Sequence, residues 1–145
     1  MSHHYTFDEL VAALRQVGVQ AGDVIFTHVD LAALGMPELP TPAAEPQRRR
    51  SRQALGEAIC RLIYNAVTQV IGHDGTWLVP TYSYSFGKQA IFDPAQTPSE
   101  VGVFTEWFRQ QAGVMRSDDP MFSVAGLGPQ TAALFANLPH DCFGP

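Results

Sequence analysis

The chain is poor in the features that define several large protein classes. It has 2 cysteines among 145 residues, Cys60 and Cys142, and their wide separation does not favour a disulfide-held fold. No run of roughly 18 consecutive apolar residues occurs, so neither a membrane-spanning helix nor a membrane partner is predicted. Basic residues are also few: 9 lysines and arginines against 14 acidic residues give a net charge of −5, which argues against nucleic acid as a partner.

The chain does have enough apolar sequence for a folded core. Hydrophobic residues make up 46% and charged residues 16%, a balance typical of a globular domain rather than of a disordered segment. Residues 1–9 lack the apolar segment of a secretion signal, and we therefore expect a reducing, cytoplasmic location. The basic cluster of Arg48 to Arg50 with Arg52 follows a proline-rich stretch. It favours a solvated loop, with an anion contact as the alternative.

Helical and strand patterns alternate along the first part of the chain. Thr6 and Glu9 fit a capping box ahead of a helical pattern, and residues 24–29 are a short apolar run typical of a buried strand. An apolar stripe at helical spacing predicts a helix over 52–71, and a second strand is predicted at 77–80. This alternation predicts an α/β fold with a mostly parallel sheet, in which the two strands are neighbours or one strand apart.

A long polar and aromatic loop is predicted over 81–98, and loops of this length are usually functional. We expect one domain, since no repeat and no shift in composition marks a second. The elements predicted after the loop are a helix capped by Ser99 and ending at Gly113, strands over 114–116 and 122–126, and a helix over 130–137.

Two loops are predicted to meet beyond the carboxyl ends of the strands, where ligands collect in parallel α/β sheets. One loop follows the first strand at residues 28–31, and the other begins at Thr81 after the second strand. The backbone amides after Asp30 would suit a phosphate, as helix N-termini do, but the Asp30 carboxylate would oppose it. A simple helix cap is an equal alternative for Asp30, and a structural role is favoured over catalysis for His28.

A dense polar cluster spans residues 116–120. Its acidic pair, Asp118 and Asp119, either binds a substrate amine or forms a capped turn around Pro120, and the composition favours the turn. No pair of histidines or cysteines has the spacing of a metal site, so no metal cofactor is predicted.

Short motifs in a fixed order resemble one enzyme family. The motifs are, in chain order, Gly22-Asp23-Val24, His28-Val29-Asp30-Leu31, Gly72-His73-Asp74-Gly75-Thr76, Val79-Pro80-Thr81-Tyr82, Phe92-Asp93-Pro94, Arg116-Ser117 and Pro120 to Ser123. Each motif alone is weak, but their order and spacing over nearly the whole chain resemble the aminoglycoside 3-N-acetyltransferases. The resemblance implies a three-layer α/β/α sandwich, and acetyl transfer from acetyl-CoA to an amine of a small molecule.

The resemblance also implies which residues bind the two substrates. It assigns coenzyme binding to one set of positions: His28, Val29, Asp30, Leu31, Ala32, Gly35, Thr81, Ser117 and Ser123. It assigns one wall of the amine site to a second set: Tyr82, Tyr84, Asp118 and Asp119. The family usually has His-Ser-Ser-Leu at 28–31 and a histidine at position 119. The Asp119 version resembles a branch outside antibiotic resistance, so an amino-sugar-like acceptor is the alternative to an aminoglycoside.

Members of the family are nearly twice as long as this chain. Their general base lies in a Thr-x-x-His-x-x-Glu-like stretch of the second half, and residues 1–145 contain no such stretch. The resemblance therefore implies that residues 1–145 are the truncated N-terminal half of one acetyltransferase domain, with little activity alone. A non-catalytic coenzyme A-binding or self-associating module, forming a homo-oligomer, is the alternative. A hydrolase using Ser83 or Ser117 is a weaker alternative, because no base stands at a fixed spacing from either serine.

Overall fold

A four-stranded sheet flanked by helices forms the protein. The computed structural model describes residues 4–39, 51–136 and 138. The helices are α1 (Phe7–Gln16), α2 (Leu31–Leu34), α3 (Arg52–Ile71), α4 (Val103–Arg109) and α5 (Thr131–Phe135). The strands are β1 (Val24–Phe26), β2 (Thr76–Pro80), β3 (Met115–Arg116) and β4 (Val124–Leu127), and a short 3-10 helix covers Phe86–Lys88. None of the helices in these ranges has the length and apolarity needed to cross a bilayer.

The sheet has the strand order β1-β2-β4-β3 and is mixed. β1 and β2 are parallel neighbours, with Val24 opposite Thr76, which confirms the predicted pairing of these two strands. β4 runs antiparallel to both β2 and β3, so it is the one strand of the four whose direction departs from the parallel arrangement that the sequence predicts. The reason is the connection: only residues 117–123 join β3 to β4, whereas a parallel pair needs a crossover of about a dozen residues or more.

The main core lies between the sheet and helices α3 and α4. Trp77 and Val79 of β2 and Phe104 and Phe108 of α4 are fully buried there. The centroid of the Trp77 ring lies 4.8 Å from that of Phe108 and 5.5 Å from that of Phe104, within the range of favourable aromatic pairs. Burial of each large apolar side chain contributes on the order of 1.5–3 kcal/mol, so this aromatic cluster holds α4 on the sheet.

Helix α3 begins and ends where its sequence pattern predicts, at Arg52 and Ile71. The Ser51 hydroxyl accepts a hydrogen bond from the Ala54 amide at 3.2 Å and so caps the first turn. Cys60 lies fully buried in the apolar stripe, and burial raises the pKa of its thiol to about 11. The thiol is therefore a neutral apolar group, as predicted. The other cysteine of the sequence lies outside the described residues.

Helix α1 starts at the predicted capping box. The Thr6 hydroxyl accepts from the Glu9 amide at 3.1 Å, and the Glu9 carboxylate accepts from the Thr6 amide at 2.7 Å. The apolar side of the helix packs on α3 through Val11, which shares a small core with Ala66 and Val70. α1 is thereby fixed on α3 at the start of the chain.

Helix α4 differs from its prediction at both ends. It begins at Val103 and already ends at Arg109. Ser99 does not cap it, because the Ser99 hydroxyl hydrogen-bonds to the Thr105 hydroxyl at 2.7 Å. Gly102 precedes the helix with a φ of 145°, a conformation that favours glycine and lets the chain turn sharply into the helix.

Helix α5 packs on the opposite face of the sheet. A Cβ on Gly126 of β4 would lie 2.5 Å from the Thr131 side chain, so only glycine permits this close contact. On the same face, according to the strand register, Val24 and Phe26 at the β1 edge are exposed by 45% and 56%. We call the surface of these two apolar residues the open face.

Candidate functional site

The carboxyl ends of β1 and β2 lie side by side, as predicted. Phe26 is opposite Leu78, and the Thr27 amide donates to the Leu78 carbonyl at 3.0 Å just beyond β1. The loop that starts at His28 and the loop that starts at Thr81 therefore leave the sheet at the same edge. This is the edge at which parallel α/β sheets bind ligands.

A cavity of about 410 Å³ opens at the loop after β1. Its volume lies in the range of small-molecule sites, roughly 300–1,000 Å³. Most of its wall is apolar, and its polar residues, Thr27, His28 and Asp30, come from the loop after β1. The remaining lining residues are Leu10, Leu14, Val29, Ala33, Leu34, Ile63, Val67 and Trp77. The predicted coenzyme residues His28, Val29 and Asp30 thus share this cavity.

The rest of the predicted coenzyme set is divided between two places. Leu31, Ala32 and Gly35 belong to α2 or its end, next to the cavity, and Gly35 ends the helix with a φ of 81°. Thr81 does not line the cavity, and neither does Tyr82. This cavity is therefore not shared with the Thr81 loop, and the coenzyme role of these residues stays a prediction.

Asp30 is the N-cap of α2. One of its carboxylate oxygens accepts from the Ala32 amide at 2.9 Å and from the Ala33 amide at 3.4 Å. The helix cap that the sequence left open as an alternative is therefore present. It also satisfies two of the amides that would otherwise attract a phosphate.

A second polar centre lies under the Thr81 loop, around the side chain of Arg116. The Arg116 Nε donates to the Thr81 hydroxyl at 3.2 Å and to the Ser123 hydroxyl at 3.1 Å. Its Nη2 donates to the Thr81 carbonyl at 2.5 Å. Its Nη1 donates to the carbonyls of Pro94, at 3.2 Å, and Thr97. We call these five groups and Arg116 the guanidinium network.

The acceptors of the guanidinium network are all neutral. Burial lowers the pKa of Arg116 to about 10, and the charge of nearby Arg109 contributes in the same direction. The Phe92 ring lies 5.0 Å from the guanidinium carbon, close enough for a cation–π contact. The arginine is therefore held by carbonyls, hydroxyls and an aromatic ring.

Three residues that the sequence assigns to coenzyme binding, Thr81, Ser117 and Ser123, are buried at this centre. Thr81 and Ser123 belong to the guanidinium network. The Ser117 hydroxyl accepts from the Val124 amide at 2.9 Å and holds β3 to β4. The structure thus places their side chains against other parts of the chain, and their predicted role toward the coenzyme remains untested.

The predicted amine-site residues gather where the Thr81 loop meets the turn before β4. The Tyr82 ring stands edge-on against the Phe122 ring at 5.3 Å. Asp119 accepts from the amides of Met121 and Phe122, at 2.7 and 2.6 Å, so it forms the capped turn that the composition favours. Tyr84 and Asp118 are exposed. We call Tyr82 and Phe122 the aromatic wall.

The serines considered for a hydrolase are engaged by groups that cannot act as a base. The Ser83 hydroxyl lies 3.1 Å from the Ser85 hydroxyl and donates to the Pro120 carbonyl at 3.0 Å. The Ser117 hydroxyl bonds to a backbone amide. Neither contact would raise the nucleophilicity of the oxygen, so the geometry gives the hydrolase no support.

A second arginine holds the same loop from α4. Arg109 donates to both oxygens of Glu106, at 2.6 and 2.7 Å, and to the Ala95 carbonyl at 3.0 Å. Glu106 also accepts from the Ser99 amide at 2.7 Å. Burial alone would raise the pKa of Glu106, but the hydrogen bonds from Arg109, Ser99 and Gln110 outweigh it and lower the pKa.

Sequence reasoning did not identify the guanidinium network or the Glu106–Arg109 pair. The available signal was an arginine at the end of a predicted strand, at Arg116, next to a long loop that needs anchoring. In the described ranges, no group of three or more histidine, cysteine or acidic side chains is arranged to hold a metal. His140 lies outside those ranges.

Comparison with protein families supplies the decisive observation. The family model of the aminoglycoside 3-N-acetyltransferases matches residues 49–145, about two thirds of the chain. The chain belongs to this family. The match includes α3, the Thr81 loop, the guanidinium network and the aromatic wall, so both polar anchors of the loop lie in the part that resembles the aminoglycoside 3-N-acetyltransferases.

Solved aminoglycoside acetyltransferases share the fold. The apoenzyme of AAC(3)-IVa matches with a TM-score of 0.70 at 24% identity, over 94% of this chain and 46% of that one. AAC-IIIb in its binary complex with CoASH gives 0.70 at 21%, over 96% and 52%. AAC-VIa bound to sisomicin gives 0.69 at 24%, over 94% and 51%. The α/β fold with helices on both faces is confirmed, and the chain spans about half the length of these structures.

The Glu106–Arg109 pair makes the free energy of unfolding depend on pH. A carboxyl group with a lowered pKa stabilises the fold above its unfolded pKa, near 4.5, and this contribution is lost as the pH falls through the folded pKa. We expect Glu106→Gln to lower the free energy of unfolding by about 1–3 kcal/mol at pH 7. Below pH 4.5 the difference from the parent protein should shrink.

Urea denaturation between pH 3 and pH 7 measures this effect. The matched control is Glu57→Gln on the exposed side of α3, where the carboxylate accepts only a side-chain hydrogen bond from Gln53 at 3.1 Å among the contacts described. A constant difference between Glu106→Gln and the parent protein at every pH would contradict the prediction.

Proposed function

We propose that this protein takes part in acetyl transfer from acetyl-CoA to an amine of an aminoglycoside or amino-sugar-like molecule. Membership of the acetyltransferase family is the observation that carries the proposal. AAC-IIIb, a structure of the same fold, is a complex with CoASH, and AAC-VIa is bound to sisomicin. The activity of the whole protein is a proposal, because this chain spans about half the length of those structures.

The proposed coenzyme site is the cavity at the loop after β1. Its apolar wall suits the extended arm of coenzyme A, and the His28 side chain at the same loop is able to donate a hydrogen bond. The carboxylate of Asp30 opposes a phosphate there. Any anionic part of the coenzyme is therefore expected to avoid Asp30 and lie toward the solvent-exposed side of α2.

The proposed amine site is the aromatic wall together with the exposed residues Tyr84 and Asp118. Amino sugars are cations near neutral pH, and an exposed carboxylate such as Asp118 attracts them. Aromatic rings such as Tyr82 and Phe122 offer faces and edges on which a sugar or a cation packs. Asp119 supports this site by shaping the turn that carries Phe122.

The reaction also needs a group that takes the amine proton as the amine attacks the thioester. A histidine is the usual base near neutral pH. Of the three described histidines, His28 lies at the cavity, His73 is exposed beside Asp74 at the opposite end of β2, and His4 is exposed ahead of α1. None of them lies in the aromatic wall. We therefore propose that His28 orients the coenzyme and that the base lies outside the described residues.

Exchanging Asp30 tests the coenzyme site. Asp30→Ser keeps an N-cap for α2 but removes a negative charge beside the cavity. We expect the dissociation constant of coenzyme A, measured by calorimetry, to fall about two- to fivefold. The control, Asp74→Ser, removes the same charge at the far end of the sheet and should leave the affinity unchanged. Equal or weaker binding by Asp30→Ser would count against this placement.

Thiol release tests the activity itself. Acetyl-CoA is mixed with sisomicin, gentamicin or simple amino sugars, and free coenzyme A thiol is counted over time beside a full-length enzyme of the family. Because a positioned base contributes about 100- to 10,000-fold in rate, we expect this chain alone to release thiol at most slowly. Turnover equal to that of the full-length enzyme would place the base within residues 1–145, and His28→Ala would then be the first variant to make.

A second candidate function is favoured by the open face. Val24 and Phe26 expose apolar surface at the β1 edge of the sheet, and such surfaces are typical of interaction sites. We propose a second copy of this chain as the partner, because identical apolar faces bury each other in a two-fold symmetric pair. In this form the protein would be a self-associating, coenzyme-binding module.

Sedimentation velocity at several concentrations tests the self-association. We expect a dimer that dissociates on dilution, and Phe26→Ser should shift it to the monomer, since Phe26 is the most exposed side chain of the open face. Ile91→Ser is the control, because Ile91 is 94% exposed but lies in the loop before α4. A parent protein that stays monomeric at high concentration, or an equal effect of both variants, would rule out this candidate.

A further inference from the structure

We infer that Arg116 is a positioning residue for the amine site, an inference that rests on the proposed function. The side chain lies on β3 and reaches three separate segments: the end of β2 at Thr81, the turn at residues 94–97 and the start of β4 at Ser123. No other described side chain hydrogen-bonds to all three of these segments. Two of these segments also carry the aromatic wall, because Tyr82 follows Thr81 and Phe122 precedes Ser123.

The hydrogen bonds of the network have one possible direction. The Ser123 hydroxyl donates its proton to the Thr81 carbonyl at 2.8 Å, and the Thr81 hydroxyl donates to the Ser123 carbonyl at 3.1 Å. Each hydroxyl has one proton, so toward Arg116 both can only accept. A hydrogen-bond donor is therefore needed at this position, and the guanidinium supplies it.

The shape of the guanidinium matters as much as its charge. One side of the planar group meets Thr81 and Ser123, another meets the carbonyls of Pro94 and Thr97, and the ring of Phe92 lies at 5.0 Å. A lysine at this position would carry the same charge on a single nitrogen with three donors and could not span both sets of acceptors. Since every acceptor is neutral, charge pairing is not what the arginine provides.

The network sits directly behind the aromatic wall. Tyr82 follows Thr81 in the chain and Phe122 precedes Ser123, and their rings touch edge to face at 5.3 Å. Holding Thr81 to Ser123 therefore fixes the distance between the two rings. The cavity after β1 receives no hydrogen bond from Arg116. Loss of the arginine should thus disturb the amine site and spare the coenzyme site.

The test compares Arg116→Gln and Arg116→Lys with the parent chain. We expect both to weaken binding of gentamicin, the probe for the amine site, by roughly tenfold or more, since a displacement of about 1 Å is enough for such losses. Binding of coenzyme A should change by less than about twofold. The nuclear Overhauser contact between the Tyr82 and Phe122 rings should disappear in both variants.

Arg109→Gln is the matched control. It removes the other arginine bond to the same loop, to the Ala95 carbonyl, and should lower thermal stability while the gentamicin affinity and the ring contact stay unchanged. If Arg116→Gln does not fold, Ser123→Ala takes its place: it removes one acceptor of the network and the bond that the Ser123 hydroxyl donates to the Thr81 carbonyl, and it should likewise weaken gentamicin binding and spare coenzyme A binding.

Several results would overturn the inference. Full recovery of gentamicin binding in Arg116→Lys would mean that charge alone is needed. Parallel loss of both ligands in proportion to the loss of thermal stability would make Arg116 a purely structural residue, as would a retained ring contact. A parent chain that binds neither gentamicin nor other amino sugars would instead refute the proposed amine site, and the positioning role would fall with it.

Discussion

The buried indole of Trp77 is the contact on which both the core and the cavity depend. Its ring packs against Phe104 and Phe108 and fixes α4 on the sheet. Its N–H donates to the Thr27 hydroxyl at 2.7 Å and fixes the chain just beyond β1. A buried donor left without a partner costs about 1–3 kcal/mol. The Trp77 ring therefore cannot keep its place in the core at full stability without also keeping its hydrogen bond to Thr27. The loop that carries His28 is therefore held by the same side chain that fills the core.

The reversed direction of β4 decides what lies at the end of β2. Because β4 is antiparallel to β2, its first residues, and Ser123 before them, lie beside Pro80 and Thr81. A parallel β4 would put its carboxyl end there instead. This reversal brings Thr81 beside Ser123. The acceptors around the Arg116 side chain and the contact between the Tyr82 and Phe122 rings follow from it.

Local patterns in the sequence were sufficient for part of this structure. Both ends of α3 and the capping box of α1 were predictable, because caps and apolar stripes act within short stretches, and the parallel pair β1–β2 follows from the strand–helix–strand order. The bonds of the guanidinium network to Thr81 were not predictable, since Thr81 and Arg116 lie far apart in the chain and no local pattern links them. The direction of β4 was missed although the short connection over 117–123 already favours an antiparallel strand. Asp30 was open to two roles of equal weight, and the hydrogen bonds that its carboxylate accepts from α2 identify it as the helix cap.

The thiol of Cys60 has a consequence for how this protein can be observed. It is fully buried at the centre of the core, and burial holds its pKa near 11, so almost none of it is thiolate at neutral pH. Thiol reagents react with the thiolate and need access to sulfur. Cys60 therefore does not react with such reagents while α3 is packed on the sheet. The rate at which the Cys60 thiol becomes labelled therefore reports how often the core opens.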